Sequence, residues 1–168
     1  MKKKILRQYL EIKSLEDIKE TIKPENSYLV ELIDSSDFQL NKFFYKQIGK
    51  KYNWIDRLVW TDKNWIDYIS NKNLLTYVLK QKENFGGYFE LIIHNDKNEV
   101  EIAYFGLLEE YFGKKLGGYL LTEALKKSFC VIGVNRVWCH TCSYDHEHGI
   151  KNYLSRGMSI FKTETINL

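Results

Sequence analysis

A chain of 168 residues and 20.0 kDa fits a single domain. With 44% hydrophobic residues, 28% charged residues and 12 Tyr, 9 Phe and 4 Trp, it has ample material for a folded core, which excludes disorder. The balance of 25 basic against 22 acidic residues leaves only +3, and lysines scattered along the chain form no basic stripe for a nucleic acid.

The opening Met1–Leu6 is charged like a signal peptide, but Arg7, Gln8 and Glu11 interrupt it, so no export segment is expected. The longest apolar run, Ile102–Leu108, falls well short of the roughly 18 residues a bilayer requires. Cys130, Cys139 and Cys142 are too few for a disulfide framework and suggest a reducing, cytoplasmic setting. Residues 3–12 read as a strand, although a helical stripe also fits. Ser14-Leu15-Glu16-Asp17 resembles a capping box opening a short helix that Pro24 ends. Tyr28–Ile33 reads as a strand. Asp37 caps a helix carrying Leu40, Phe43, Phe44 and Ile48, and Thr61 caps another with Trp65, Ile66 and Ile69 inward. Leu74–Gln81, Tyr88–His94 and Glu99–Leu107 form an antiparallel meander, with turns expected at 84–87 and 95–98. A helix then runs to about Cys130, and Asn135–Thr141 is the next strand, parallel to the one before the helix. A last helix near Glu147–Arg156 and a strand at Ser159–Glu164 complete an α/β chain with a mixed, mostly antiparallel sheet.

The informative junction is Leu107–Gly118. A helix start leaves four backbone N–H groups unpaired and carries partial positive charge. Gly113, Gly117 and Gly118 let an anion approach the backbone, and Lys114 and Lys115 add charge, so a phosphate-bearing ligand is the natural occupant. Neither a nucleotide-triphosphate loop nor a dinucleotide fingerprint matches the spacing.

Two runs carry a resemblance. Leu107-x-x-Glu110-Tyr111-Phe112-Gly113-Lys114-Lys115-Leu116-Gly117-Gly118 resembles the acetyl-CoA motif of the GCN5-related N-acetyltransferases, and His148–Met158 resembles that family's second motif, a helix with a tyrosine four residues before a glycine. The resemblance is strongest over residues 85–165. It implies one domain over 1–168, with residues 1–73 on the substrate side and 74–168 as the acetyl-CoA core, and a parallel strand pair that splays. It also implies a cofactor contact surface of Phe105, Gly106, Leu107, Phe112, Gly113, Lys114, Lys115, Leu116, Gly117, Gly118, His146 and Asn152. Phe112 stands where the family has Arg or Gln, and Lys115 where it has a glycine. Backbone donation survives that lysine provided it keeps φ < 0; a positive φ would strain the loop by ~1–3 kcal/mol. A bulge that parts the strands suits Gly106.

Acyl transfer from a thioester to an amine needs a base, a donor for the developing oxyanion and an acid for the leaving thiolate. The resemblance implies a backbone N–H within Phe105–Leu107 as the oxyanion donor and Tyr153 as the acid. Read without it, Tyr153 completes an apolar stripe with Ile150 and Leu154. For the base, Glu101 and Glu90 are carboxylates in apolar strands, and His140 could relay a proton. Exposed strand edges account for the carboxylates equally well. Cys142, paired with His140 or His146, is the nucleophile of an alternative covalent route.

Cys139, Cys142, His146 and His148 superficially match zinc spacing, but strand alternation sends 139 and 142 to opposite faces, so no metal is expected. Trp54 and Arg57 are the expected substrate residues, Arg57 holding an acceptor carboxylate; a surface salt bridge beside core tryptophans is its plainer role. The expected partner is a small-molecule or peptide amine, with no nucleic acid or membrane, and a homodimer is compatible with the sequence. A module that senses coenzyme A or another phosphate ligand without turnover is the competing reading.

Overall fold

Seven strands and four helices make up the computed structural model, which describes residues 4–24, 28–34 and 37–167. The strands are β1 (Lys4–Ile12), β2 (Tyr28–Leu32), β3 (Leu74–Gln81), β4 (Asn84–His94), β5 (Glu99–Leu107), β6 (Arg136–Cys142) and β7 (Ser159–Asn167). They form one sheet in the order β2-β3-β4-β5-β6-β1-β7, antiparallel except for β5 and β6. The helices are α1 (Phe38–Gly49), α2 (Asp62–Ile69), α3 (Leu116–Phe129) and α4 (Gly149–Ser155). Among the described residues no helix is long and apolar enough to cross a membrane. The expected opening segment, residues 1–3, lies outside the described residues.

Several helix starts follow from the caps in the sequence. Asp37 accepts from the Gln39 N–H at 3.0 Å, and Thr61 forms a reciprocal capping box with Asn64. Ser14 accepts from Glu16 N–H but caps only a single turn, Leu15–Asp17. No helix continues to Pro24, because the chain beyond is tied to other elements: Lys19 N–H donates to the Arg156 carbonyl and Thr21 N–H to Thr122 Oγ1.

One face of the sheet packs on α3. Leu10 and Ile12, Phe89 and Leu91, Val100 and Ile102, and Val137 and Cys139 are buried there against Leu116, Leu120, Ala124 and Leu125. The other face, over β3–β5, takes α1: Phe44 stacks on Tyr88 with ring centroids 4.8 Å apart, and Ile48 joins Val78. Helix α2 adds Trp65 against Tyr45.

Three features matter for the site; the first and third depart from the sequence reading, and the second is the splayed pair it implied. First, the β3–β4 connection is Lys82-Glu83, with Lys82 at φ 54°, and β4 starts at Asn84 rather than Tyr88. The glycines that suggested the turn serve close approach instead; a Cβ on Gly87 would lie 2.6 Å from the Gly106 carbonyl oxygen. Second, β5 and β6 pair only at Glu99–Arg136, Val100–Val137 and Glu101–Trp138 and then part. Third, the irregularity in β5 is not at Gly106. Glu90 pairs with Tyr104 and Leu91 with Ile102, so Ala103 is the extra residue of a bulge. The bulge restarts the alternation: Val100 and Ile102 face α3, and so do Phe105 and Leu107 beyond it. Tyr104 and Gly106 then face α1.

Candidate active site

The strand β5 leads into a turn at Glu109–Tyr111 and then into the loop before α3. Two residues there hold left-handed backbones, Gly113 at φ 75° and Lys115 at φ 60°, ψ 18°. The condition φ < 0 for donation at Lys115 is therefore not met, and an anion is left the amides of α3 itself, which begins at Leu116. The chain turns sharply into α3 at that residue, and lysine occupies a conformation that favours glycine. No side chain caps the α3 N-terminus, so its first-turn N–H groups are available to an anion. Asn152 of α4 donates from Nδ2 to the Gly117 carbonyl at 3.0 Å and ties the two helices together.

A cavity of about 780 Å³ opens from this loop and passes through the gap between β5 and β6. On the α3 side it is lined by Gly113, Lys115, Leu116, Gly117, Gly118, Asn152 and Tyr153, and Phe105, Gly106 and Leu107 form its β5 wall. Phe112 and His146 meet edge to face at its rim, 5.4 Å apart. Lys114 is the exception among the expected cofactor residues. It is not part of the lining, and its Nζ sits 5.1 Å from the Tyr111 ring centroid. Tyr153 is 9% exposed, its ring 6.2 Å from that of Phe105. Burial, and then the neighbouring Cys139, push its phenol well above the ordinary value, so it keeps its proton throughout the neutral range.

Beyond the gap the cavity is lined by Trp54, Asp56, Arg57, Glu101, Tyr104 and His140. Glu101 accepts from His94 Nε2 at 2.9 Å and remains part of the wall. The protein mass around His140, and then the charge of Arg7, hold its imidazole below the ordinary range, so it is neutral at pH 7.

Glu90 does not line this cavity. It is fully buried beneath it, and its carboxylate oxygens are taken by Arg57 Nη1 at 3.1 Å, Asn41 Nδ2 at 2.9 Å and the Tyr68 hydroxyl at 2.6 Å. The structure therefore removes Glu90 from the candidate bases: it has no open oxygen and no path to a reacting atom. The same contact corrects Arg57. Its guanidinium lies over the rings of Tyr68 at 4.0 Å and Tyr104 at 4.2 Å, with its charge matched by Glu90 rather than offered to a ligand. Burial, the largest single influence, lowers the Arg57 pKa, but Glu90 together with Tyr68, Tyr104 and Tyr88 raises it on balance. Tyr68 and Asn41, which complete this knot, carry no sequence signal beyond their place on amphipathic helices.

The cysteines separate as alternation requires. Cys139 is buried against α3, while Cys142 lines the cavity. Burial, and then Asp145, push both thiols up, leaving neither a ready nucleophile. Among the described residues no three metal-ligating side chains converge.

The family model described as the acetyltransferase (GNAT) family matches residues 33–158. Among solved structures, the chain is similar to a GCN5-related N-acetyltransferase from Kribbella flavida, at TM-score 0.68 and 14% identity over 96% of this chain and 56% of that one. A second, from Sphaerobacter thermophilus, gives TM-score 0.71 and 12% identity over 99% and 52%. An aminoglycoside acetyltransferase from an uncultured soil metagenomic sample gives TM-score 0.64 and 11% identity over 79% and 88%. The chain thus spans little more than half the length of the first two, and the likenesses are of fold. No curated protein matches in sequence.

Proposed function

Because the chain belongs to the acetyltransferase (GNAT) family, whose members use acetyl-CoA, we propose that it transfers an acetyl group from acetyl-CoA to a primary amine by direct attack within a ternary complex. The observation that carries this reading is the continuous cavity, which runs from the uncapped α3 N-terminus through the parted strands to a second, aromatic chamber. One mouth suits a pyrophosphate and the other an acceptor, with the gap between them.

The residues present fit the donor. Gly113 has open space where a Cβ would stand, Gly117 only ordinary contacts, and the first-turn amides of α3 face the same cavity. Bound acetyl-CoA supplies a thioester, an activated acyl group. Everything else falls to the chain. Glu101 takes a proton from the acceptor ammonium, which is otherwise protonated at pH 7 because alkylammonium groups titrate near ~10.4. His94 orients that carboxylate. A backbone N–H within Phe105–Leu107 that faces the gap donates to the carbonyl oxygen as charge develops. Tyr153, protonated by virtue of its burial, gives its proton to the leaving sulfur. His140, neutral and beside the gap, passes the proton on from Glu101.

Calorimetric titration of coenzyme A followed by thiol release with a panel of amines tests the proposal. Tight cofactor binding together with amine-dependent release is the expected result. Binding without release for any good amine would favour a ligand-sensing module and overturn the transferase.

A further inference from the structure

Two arginines line the cavity, and they differ. Arg57 is engaged by Glu90, whereas Arg7 has no ion pair and no side-chain hydrogen bond among the described residues. Its Nε is shut off from solvent without a partner. Arg7 lies on the sheet face opposite α3, because Leu10 and Ile12 of the same strand pack on α3 and alternation turns the odd positions away. Its neighbours on the cavity wall include Ile5 and Ile166, which are paired across β1 and β7.

The nearest carboxylates are already committed. Glu164, opposite Arg7 on β7, accepts from the Tyr9 hydroxyl at 2.6 Å and pairs with Lys162 at 2.9 Å. Asp145 accepts from the Thr141 hydroxyl and the Cys142 N–H. Glu164 acts on Arg7 only at a distance, without an ion pair, so a guanidinium whose Nε is shut off from solvent has no hydrogen-bonded counter-ion, and an anion from outside the chain would supply one. The planar fork presents paired donors suited to a carboxylate. A doubly charged phosphate would instead meet Glu101, Asp56 and Asp145 around the same cavity with a single free arginine to balance it.

Glu101, the remaining candidate carboxylate base, stands at the other end of this chamber. Its register partner on β6 is Trp138, and that of Arg7 is Cys142, four residues further along the same strand. That offset is about 13 Å along the strand. The charged side chains shorten it, but not to the span of a single carbon.

Resting on the transferase reading above, we infer that the acceptor is an amine carrying a carboxylate several bonds from its nitrogen, with the carboxylate received by Arg7 and the nitrogen presented at Glu101. The test compares δ-aminovalerate with n-butylamine, its counterpart without the carboxylate, and with glycine. The acid is expected to exceed n-butylamine in kcat/KM by about 10- to 100-fold, the range of charge-assisted hydrogen bonds, and to exceed glycine as well. Arg7→Gln brings the ratio of acid to n-butylamine close to one. Arg7→Met, apolar among Ile5 and Ile166, serves where the glutamine does not fold, with circular dichroism as the control. Binding of N-acetyl-δ-aminovalerate and N-butylacetamide to the coenzyme A complex is measured in parallel and follows the same Arg7 dependence. A preference for the acid that survives both variants, equal binding of the two amides, or equal turnover of glycine and δ-aminovalerate overturns the inference. Arg7-dependent binding without thiol release for any amine supports the anion site and sinks the transferase reading instead.

Discussion

Arg57 Nη1 lies 3.1 Å from Glu90 Oε2 with the two side chains 7% and 0% exposed, so one charge neutralises the other beneath the acceptor chamber. Neither partner can be removed alone without leaving a buried charge. Glu90→Gln is expected to destabilise the fold by about 3–5 kcal/mol, measured by urea denaturation. A loss under about 1 kcal/mol would mean that the pair is open to water and that Glu90 is again available as a base.

Lys115 holds φ 60° at the entrance to α3. Replacing it with glycine relieves left-handed strain of about 1–2 kcal/mol but adds unfolded-chain entropy of about 0.5–1 kcal/mol. Lys115→Gly should therefore stabilise by about 0.5–1 kcal/mol, an increase in Tm on the order of 2 °C in a scanning experiment. Coenzyme A binding should be retained, because the anion is received by the first-turn amides of α3, which begin at Leu116. A lower Tm would show that the lysine side chain holds the loop.

Tyr153→Phe removes the proposed acid while keeping the ring against Phe105. The expected loss is about 10²- to 10⁴-fold in kcat with coenzyme A affinity little changed, read from steady-state thiol release. Because burial raises the Tyr153 pKa above 10, the wild-type rate should show no alkaline fall from this group below pH 10. Full activity in the variant would return Tyr153 to a packing role.

Glu101→Gln keeps the contact with His94 but cannot accept a proton. The acid limb of the wild-type kcat/KM profile, set by protonation of the base, should vanish along with most of the neutral-pH rate. A profile unchanged in shape would exclude Glu101.

His140 adds a dependence of stability on pH. Its folded pKa is depressed, first by burial and then by Arg7, against opposing pulls from Glu101, Asp145 and Glu164. Protons therefore bind the unfolded imidazole more readily than the folded one. The contribution is fully present above about pH 6.5 and is lost as pH falls through the folded value, and because the residue is exposed to solvent it stays well below about 1.4 kcal/mol per unit. His140→Gln should flatten that part of the stability–pH curve in chemical denaturation; an unaltered slope would assign it to another group.

The caps at Asp37 and Thr61, the apolar stripe of α3 and the strand–helix–strand order around it were all legible, because each is written in neighbouring residues. The glycine-rich junction likewise led to the right end of α3. What escaped sequence reading depends on residues far apart in the chain. Nothing in Ile102-Ala103-Tyr104-Phe105 marks which residue is extra, since all four are apolar, and only pairing with β4 reveals it. Glu90 reads as a candidate base or an edge carboxylate and Arg57 as a substrate anchor or a surface salt bridge, and their mutual neutralisation across 33 positions decides both roles. Arg7 reads only as an interruption of the opening segment, and its place on the cavity wall depends on the pairing of β1 between β6 and β7. Lys115 carries no local sign of its left-handed backbone.

The additional residue at Ala103 also constrains how this site can change. Were β5 instead to pair with β4 in regular alternation through Ala103, Tyr104 and Gly106 would turn toward α3 and Phe105 and Leu107 toward α1, exchanging the inner walls of the donor and acceptor compartments in one stroke. New acceptors can therefore be accommodated by replacing side chains such as Trp54 or Asp56, whereas re-pairing of β5 on β4 without the bulge would disrupt both compartments together.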